Sequence, residues 1–271
     1  MPTKKPVLKV LFFGDVVGKI GRKAIKKALP NYRKQYHPDL VIANAENLAH
    51  GKGATKKTLE ELINSGVNFF TSGNHIWSKK EIFSVFEENK IPIIRPANYP
   101  PEVPGKGYKI IEIGTKKILI INLLGRTFME ENLDCPFRKF KEIIEKHQKE
   151  ELNAVIVDFH AEATSEKVAF GFYADGLASA VLGTHTHIPT ADNQILPQGT
   201  AYISDVGMVG AKNSVLGVKK EEIINFFLRQ IHSVHQIPEK GKCILNAVFL
   251  EINPKTKKTK SIKRADKIVE I

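Results

Sequence analysis

Residues 178–189 read ASAVLGTHTHIP: an apolar, strand-like run, a glycine, then two histidines separated by one threonine. Imidazole is the commonest protein metal ligand, and residues i and i+2 of an extended segment point the same way. His185 and His187 are therefore expected to reach one small volume. Taken alone, a His-Thr-His turn serves equally well as a strand cap, so the case for chemistry rests on what converges with it.

Outward from this stretch the same pattern recurs. Residues 7–13 (VLKVLFF) form a nearly continuous apolar run, as in a strand buried on both faces, and Gly14 and Asp15 follow directly. Residues 40–43 lead into Asn44, Ala45, Glu46 and Asn47, residues 68–71 into Ser72, Gly73, Asn74 and His75, and residues 154–159 into His160. Helical spacing covers 18–36, 55–64, 79–88, 136–151 and 219–230, and in the fourth of these Phe137, Phe140, Ile143 and Ile144 share one face. A run at 91–94 ends at Arg95. Residues 108–113 and 117–123 predict a hairpin across Gly114-Thr115, and the tail predicts two strands, 243–252 and 260–269, joined by a turn at 254–256. Strands alternating with helices, with hairpins in the middle and at the end, predict a layered α/β fold with mixed sheets, one domain over residues 1–271. The Pro- and Gly-rich loop 96–107 is the best boundary candidate.

With 42% hydrophobic and 26% charged residues, the chain has the composition of an ordinary globular protein. No apolar run approaches the ~20 residues of a membrane span, and residues 1–10 lack the longer apolar stretch of a secretory signal. A cytoplasmic protein without a membrane partner is expected. Cys135 and Cys243 lie far apart, which suggests neither a disulfide framework nor thiolate metal ligation. The net charge of +12 invites a nucleic-acid reading. The positive residues are overwhelmingly lysine, however, whereas specific phosphate and base forks favour arginine, so a solvated basic surface is preferred and RNA is kept as an open partner.

Asp15, Glu46 with Asn47, Asn74 with His75, His160, and His185 with His187 each come directly after a short apolar run. In open α/β sheets the crevice outside the carboxyl ends of the strands binds ligands, so these groups are expected to share one rim. Any one of them has a plainer role as a cap or turn residue. Oxygen and imidazole without sulfur suit Mn, Fe or Zn. Seven donors, Asp15, Glu46, Asn47, Asn74, His160, His185 and His187, exceed one tetrahedral ion and imply two, with Glu46 the natural bridge.

GDVVG, NAEN, SGNH, DFHAE and GTHTH, in this order and at these intervals, resemble the bacterial YmdB-type branch of the calcineurin-like metallophosphoesterases over residues 7–217. The resemblance implies a four-layer αββα sandwich with two mixed β-sheets, a binuclear centre of divalent or mixed-valence ions, and phosphodiesterase activity on 2′,3′-cyclic nucleotides or related phosphodiesters. Iron or manganese is favoured, with zinc or magnesium as alternatives. By motif, Asp15, Glu46 and His187 hold one ion, with Asn47 close by; Glu46, Asn74, His160 and His185 hold the other. His75 is left free as general acid, or as a residue that orients a ligand. Two departures from the wider superfamily stand out: Val17 occupies the place of a first-motif histidine, and a Glu-Asn pair replaces the usual second-motif aspartate. The expected attack on phosphorus is by a hydroxide held between the ions, and Asp158 and Asp205 are candidates to hold histidines through their second ring nitrogen. The alternatives are a phosphomonoesterase or nuclease on the same centre, or a non-catalytic RNA-binding protein with structural metals. Homo-oligomerisation is left open. No P-loop, dinucleotide fingerprint or GxSxG elbow is present.

Overall fold

The computed structural model describes residues 7–231 and 234–271; residues 1–6, part of the stretch that bears on a leader, lie outside it. In chain order the elements are β1 (Leu8–Val16), α1 (Gly18–Tyr36), β2 (Leu40–Asn44), α2 (Lys56–Ser65), β3 (Phe69–Thr71), a 3₁₀ turn (Asn74–Ser78), α3 (Glu81–Glu88), β4 (Tyr108–Ile113), β5 (Lys116–Leu124), α4 (Pro136–Lys146) and β6 (Ala154–His160). They continue as α5 (Thr164–Tyr173), β7 (Ala180–Thr184), β8 (Gln194–Ile195), β9 (Ala201–Ile203), β10 (Met208–Ala211), α6 (Lys220–Arg229), β11 (Lys242–Leu245), β12 (Ala247–Ile252), β13 (Thr259–Arg264) and β14 (Lys267–Glu270). No helix among the described residues is long and apolar enough to cross a membrane.

Period-2 alternation sorts the apolar side chains into three layers. Along β1, Leu11 and Phe13 face α1 and α2, packing with Ile25, Leu29 and Leu62. Val10 and Phe12 face the other way, against Ile118 and Ile120 of β5, Ile156 of β6 and Leu182 of β7. The opposite face of β5 and β6, through Leu119, Ile121, Val155 and Val157, packs on Phe140 of α4 and Phe170 of α5. Helix, sheet, sheet and helix thus stack in four layers, as predicted. The first sheet has eight strands in the order β13-β12-β1-β10-β11-β14, with β2 and β3 joined on at β1; the second has six, β4-β5-β6-β7-β9-β8. Both are mixed: β1 is parallel to β2 and antiparallel to β12, while β5, β6 and β7 run parallel beside the antiparallel β4.

The β4–β5 hairpin forms as predicted, with Tyr108 opposite Ile121 and Ile113 opposite Lys116. Elsewhere tertiary pairing overrides local pattern. Each tail strand is two strands: the first breaks at Asn246, so that β11 pairs with β10 while β12 pairs with β1. Asn246 makes the crossing by accepting from the Met208 N–H at 3.3 Å and donating to Asp266 at 3.2 Å. The second breaks at Ala265-Asp266. The run at 91–94 makes only an isolated bridge, Ile93 to Phe70, and α4 stops at Lys146, short of 151.

Candidate active site

The alternation that fills the layer between the sheets also makes the rim. On β6 the inward face continues from Ile156 to Asp158 to His160, on β7 from Leu182 to Thr184, and on β2 from Ile42 to Asn44, all fully buried. Asn44 Nδ2 donates to Asp158 Oδ2 at 2.9 Å, joining the carboxyl ends of the two sheets.

Around this seam the predicted residues come together. His160 Nδ1 lies 3.8 Å from Asp15 Oδ1, and its Nε2 lies 3.7 Å from Glu46 Oε1 and 3.1 Å from His185 Nδ1. The His185 N–H donates to Asp15 Oδ2 at 3.1 Å. His187 Nε2 lies 3.2 Å from Asn47 Oδ1. Asn74 Oδ1, Asp15 Oδ1 and Glu46 Oε2 are buried without a hydrogen-bond partner. His75, in the 3₁₀ turn, donates its backbone N–H to Glu46 Oε1 at 2.7 Å and sets its ring Nδ1 2.9 Å from the same oxygen. A pocket of about 250 Å³ is bounded by Glu46, Asn47, His75, Glu162, His185, Thr186, His187 and Leu216. Gly73 permits the close approach: a Cβ there would stand 2.3 Å from His160 Nε2 and 2.6 Å from Glu46 Oε2.

The extended His-Thr-His geometry is not what forms. β7 ends at Thr184, and His185 and His187 both take left-handed backbone conformations, with φ of 103° and 65°. Such conformations are costly for side-chain-bearing residues and persist where the surroundings over-determine them. Here Asp15 holds the His185 N–H and Asp205 Oδ2 the Thr186 N–H, the latter at 3.0 Å. The two rings consequently part, His185 toward His160 and Glu162, His187 toward Asn47 and the Leu216 carbonyl.

Hydrogen bonding fixes which ring nitrogens are bare. Thr184 Oγ1 gives its one proton to Asp158 at 2.7 Å, so at 2.8 Å from His160 Nδ1 it accepts, leaving His160 Nε2 unprotonated, with its lone pair toward His185 Nδ1 at 3.1 Å. His187 Nδ1 donates to the Leu216 carbonyl at 2.9 Å, and Asn47 Nδ2 to the Gly51 carbonyl at 2.8 Å, so His187 Nε2 and Asn47 Oδ1 face each other as two acceptors. Burial pushes the histidines down: His185 to about 4, His187 below its ordinary range and His160 well below it. Burial, with Asp205, Asp158 and Glu46 nearby, pushes the Asp15 carboxyl well up, and burial raises Asp158 to about 7 against donors from Thr184, Thr71 and Asn44.

Neutral imidazoles, crowded buried carboxylates, facing acceptors and orphaned oxygens are the electrostatics of a cradle for cations. No group of three His, Cys, Asp or Glu side chains among the described residues is arranged to enclose an ion as it stands. Yet donors sharing one ion at about 2.1 Å sit roughly 3–4 Å from each other, and His160 Nε2 lies 3.1 Å from His185 Nδ1 and 3.7 Å from Glu46 Oε1, with His187 Nε2 3.2 Å from Asn47 Oδ1. The oxygen and nitrogen donor set fits a divalent ion.

Asp205 does not reach a histidine ring. It pairs with the buried Lys167 of α5 at 2.8 Å and supports the turn backbone, whereas Asp158 orients His160 through the hydroxyl of Thr184. Sequence reasoning missed Thr184, Asn44, Lys167 and Glu162, whose Oε2 lies 3.1 Å from His185 Nε2. The first, second and fourth sat inside motifs already singled out; nothing local marked Lys167.

The chain is 47% identical over 258 residues to a 2′,3′-cyclic-nucleotide 2′-phosphodiesterase of Bacillus subtilis strain 168, covering 95% of this chain and 96% of that one. It superposes with a TM-score of 0.91 and 40% identity on the crystal structure of a novel phosphatase from Mycoplasma pneumoniae, covering 98% and 95% of the two chains. It shares its fold with the Haemophilus influenzae NAD nucleotidase, with a TM-score of 0.64 and 13% identity over 98% of this chain and 57% of that one. The family model described as YmdB-like protein matches residues 11–265, and the chain belongs to that family.

Proposed function

We propose that this chain, a phosphoric ester hydrolase, cleaves phosphodiesters of the 2′,3′-cyclic nucleotide class at the rim with two divalent ions. The observation that carries the reading is the set of buried acceptors without donors: Asp15 Oδ1, Glu46 Oε2 and Asn74 Oδ1, beside the facing pair His187 Nε2 and Asn47 Oδ1. A buried acceptor without a partner costs about 1–3 kcal/mol, so several together call for cations. The name of the Bacillus relative supports the substrate class.

In this reading Asp15, Glu46, Asn47, Asn74, His160, His185 and His187 hold the ions, and Glu46 serves both. When bound, such ions supply Lewis acidity, activating the attacking water and offsetting charge on the phosphoryl oxygens. The remaining work falls to the chain. The Asp158–Thr184–His160 relay keeps His160 Nε2 unprotonated, and the Leu216 carbonyl does the same for His187 Nε2. His75, its side chain 33% exposed at the pocket and Nδ1 beside Glu46, offers its other ring nitrogen to protonate the leaving oxygen.

The test pairs His75→Ala with His185→Ala, reading bound metal and hydrolysis of 2′,3′-cyclic AMP. His75→Ala is expected to keep its metal and lose about 10²–10⁴-fold in turnover, while His185→Ala loses metal. Metal loss in both reduces His75 to a structural residue, and undiminished turnover under chelator overturns the metal reading.

A further inference from the structure

A second cavity, of about 790 Å³, opens between β4, α4 and the loop 96–107, and none of its lining residues belongs to the rim pocket. Its wall is basic. Arg95, Lys106, Lys109 and Lys146 line it together with Lys139 and Glu142, and these last two already pair with each other at 2.7 Å.

Arg95 is only 5% exposed. Its η nitrogens donate to the carbonyl oxygens of Pro96 at 2.8 Å, Pro100 at 3.4 Å and Val103 at 3.3 Å, while its Nε is buried without a partner. Among the described residues no carboxylate pairs with it, and burial lowers its pKa. A charge withdrawn from water needs a counter-charge, and because the η hydrogens of Arg95 are committed to loop carbonyls it attracts an anion through its field rather than through a fork. Two phenol rings complete the wall: Tyr99, half-buried, and Tyr108, whose hydroxyl accepts from Lys146 Nζ at 2.8 Å. Cations alone suit any small anion, whereas an aromatic face beside them suits a base attached to a phosphate. The volume is that of a small-molecule pocket.

We propose that this cavity is a mononucleotide-binding site separate from the rim, with the phosphate taken by Lys106 and Lys109 in the field of Arg95 and the base laid against Tyr99 or Tyr108. Occupancy is within reach of the catalytic turn, because the Tyr99 ring meets Trp77 edge-on at 5.7 Å and Trp77 follows His75 by two residues. Trp77 is also the one tryptophan of the chain, which makes its fluorescence a reporter.

The experiment titrates the intact protein with 5′-AMP, inorganic phosphate and a short single-stranded RNA, reading stoichiometry by equilibrium dialysis and Trp77 emission in parallel. Expected are two 5′-AMP sites per chain, rim and cavity. Lys106→Glu combined with Lys109→Glu weakens the cavity site about tenfold or more, leaves the rim site in place and leaves bis(p-nitrophenyl) phosphate hydrolysis unchanged. Tyr108→Leu weakens 5′-AMP but not phosphate at the same site. Binding is measured without turnover, so it stands or falls separately from the hydrolase reading. Absence of any 5′-AMP site that the charge reversal weakens, phosphate binding as tightly as 5′-AMP, or RNA binding in place of 5′-AMP each overturns the proposal.

Discussion

Ile156 and Asp158 stand two residues apart on one strand, on one face, both fully buried, and they belong to different chemistries. Ile156 packs among Phe12, Ile120 and Leu182, where burying apolar surface stabilises by about 25 cal/mol per Å². Asp158 receives three side-chain donors and, through Thr184, orients His160. Going up one layer from its apolar part to its rim, the protein moves from contacts that stabilise it to groups that cost stability unless something positive joins them. The fold holds the rim together with energy gained below it.

This contrast is sharpest at Lys167, whose buried ammonium offsets Asp205 beneath the His185–His187 turn. Lys167→Ala is expected to cost about 3–5 kcal/mol in chemical denaturation, because it leaves a buried carboxylate alone, and Lys167→Met with Asp205→Asn should lose less. Ile156→Ala should cost about 2–5 kcal/mol while the folded protein keeps its metal content and KM; a changed metal content would mean that the two halves of the layer are not separable. Thr184→Val, which breaks the relay to His160, is expected to lower metal affinity about 10–100-fold and to cost about 1–3 kcal/mol in unfolding, because it leaves the buried His160 Nδ1–H without its acceptor. Smallest is Asp15→Asn. Neutralising a crowded carboxylate should raise metal-free stability by about 1 kcal/mol and shrink the melting-temperature gain that added Mn²⁺ gives; a destabilised metal-free variant would contradict the idea that Asp15 awaits a cation.

The apolar part of the layer was legible because its signal is local: alternating runs such as VLKVLFF bury themselves on two faces whatever follows them. The ends of those runs were legible too, which is why Asp15, Glu46, His160 and the His-Thr-His pair could be named as one rim. What escaped depends on distant partners. The left-handed turn at His185 and His187 is imposed by Asp15 and Asp205, the break at Asn246 by pairing with β10 and β1, the break at Ala265 by pairing with β12 and β11, and the burial of Lys167 by Asp205, 38 residues away. Helix α5 was passed over because TSEKVAFGFY shows little amphipathic period, its apolar residues being divided between the third layer and solvent. The basic composition suggests only a solvated surface; the cavity around Arg95 emerges once β4, α4 and the loop 96–107 are assembled.

The central claim is that the rim's buried acceptors hold metal. It is tested most directly by elemental analysis of the purified protein after reconstitution with Mn²⁺ or Fe²⁺ and removal of free ion, alongside His185→Ala. The account predicts about two ions per chain, a clear loss in the variant, and turnover of 2′,3′-cyclic AMP that falls and returns with the metal. A protein that retains no ion yet hydrolyses the substrate at an unchanged rate under chelator would contradict it.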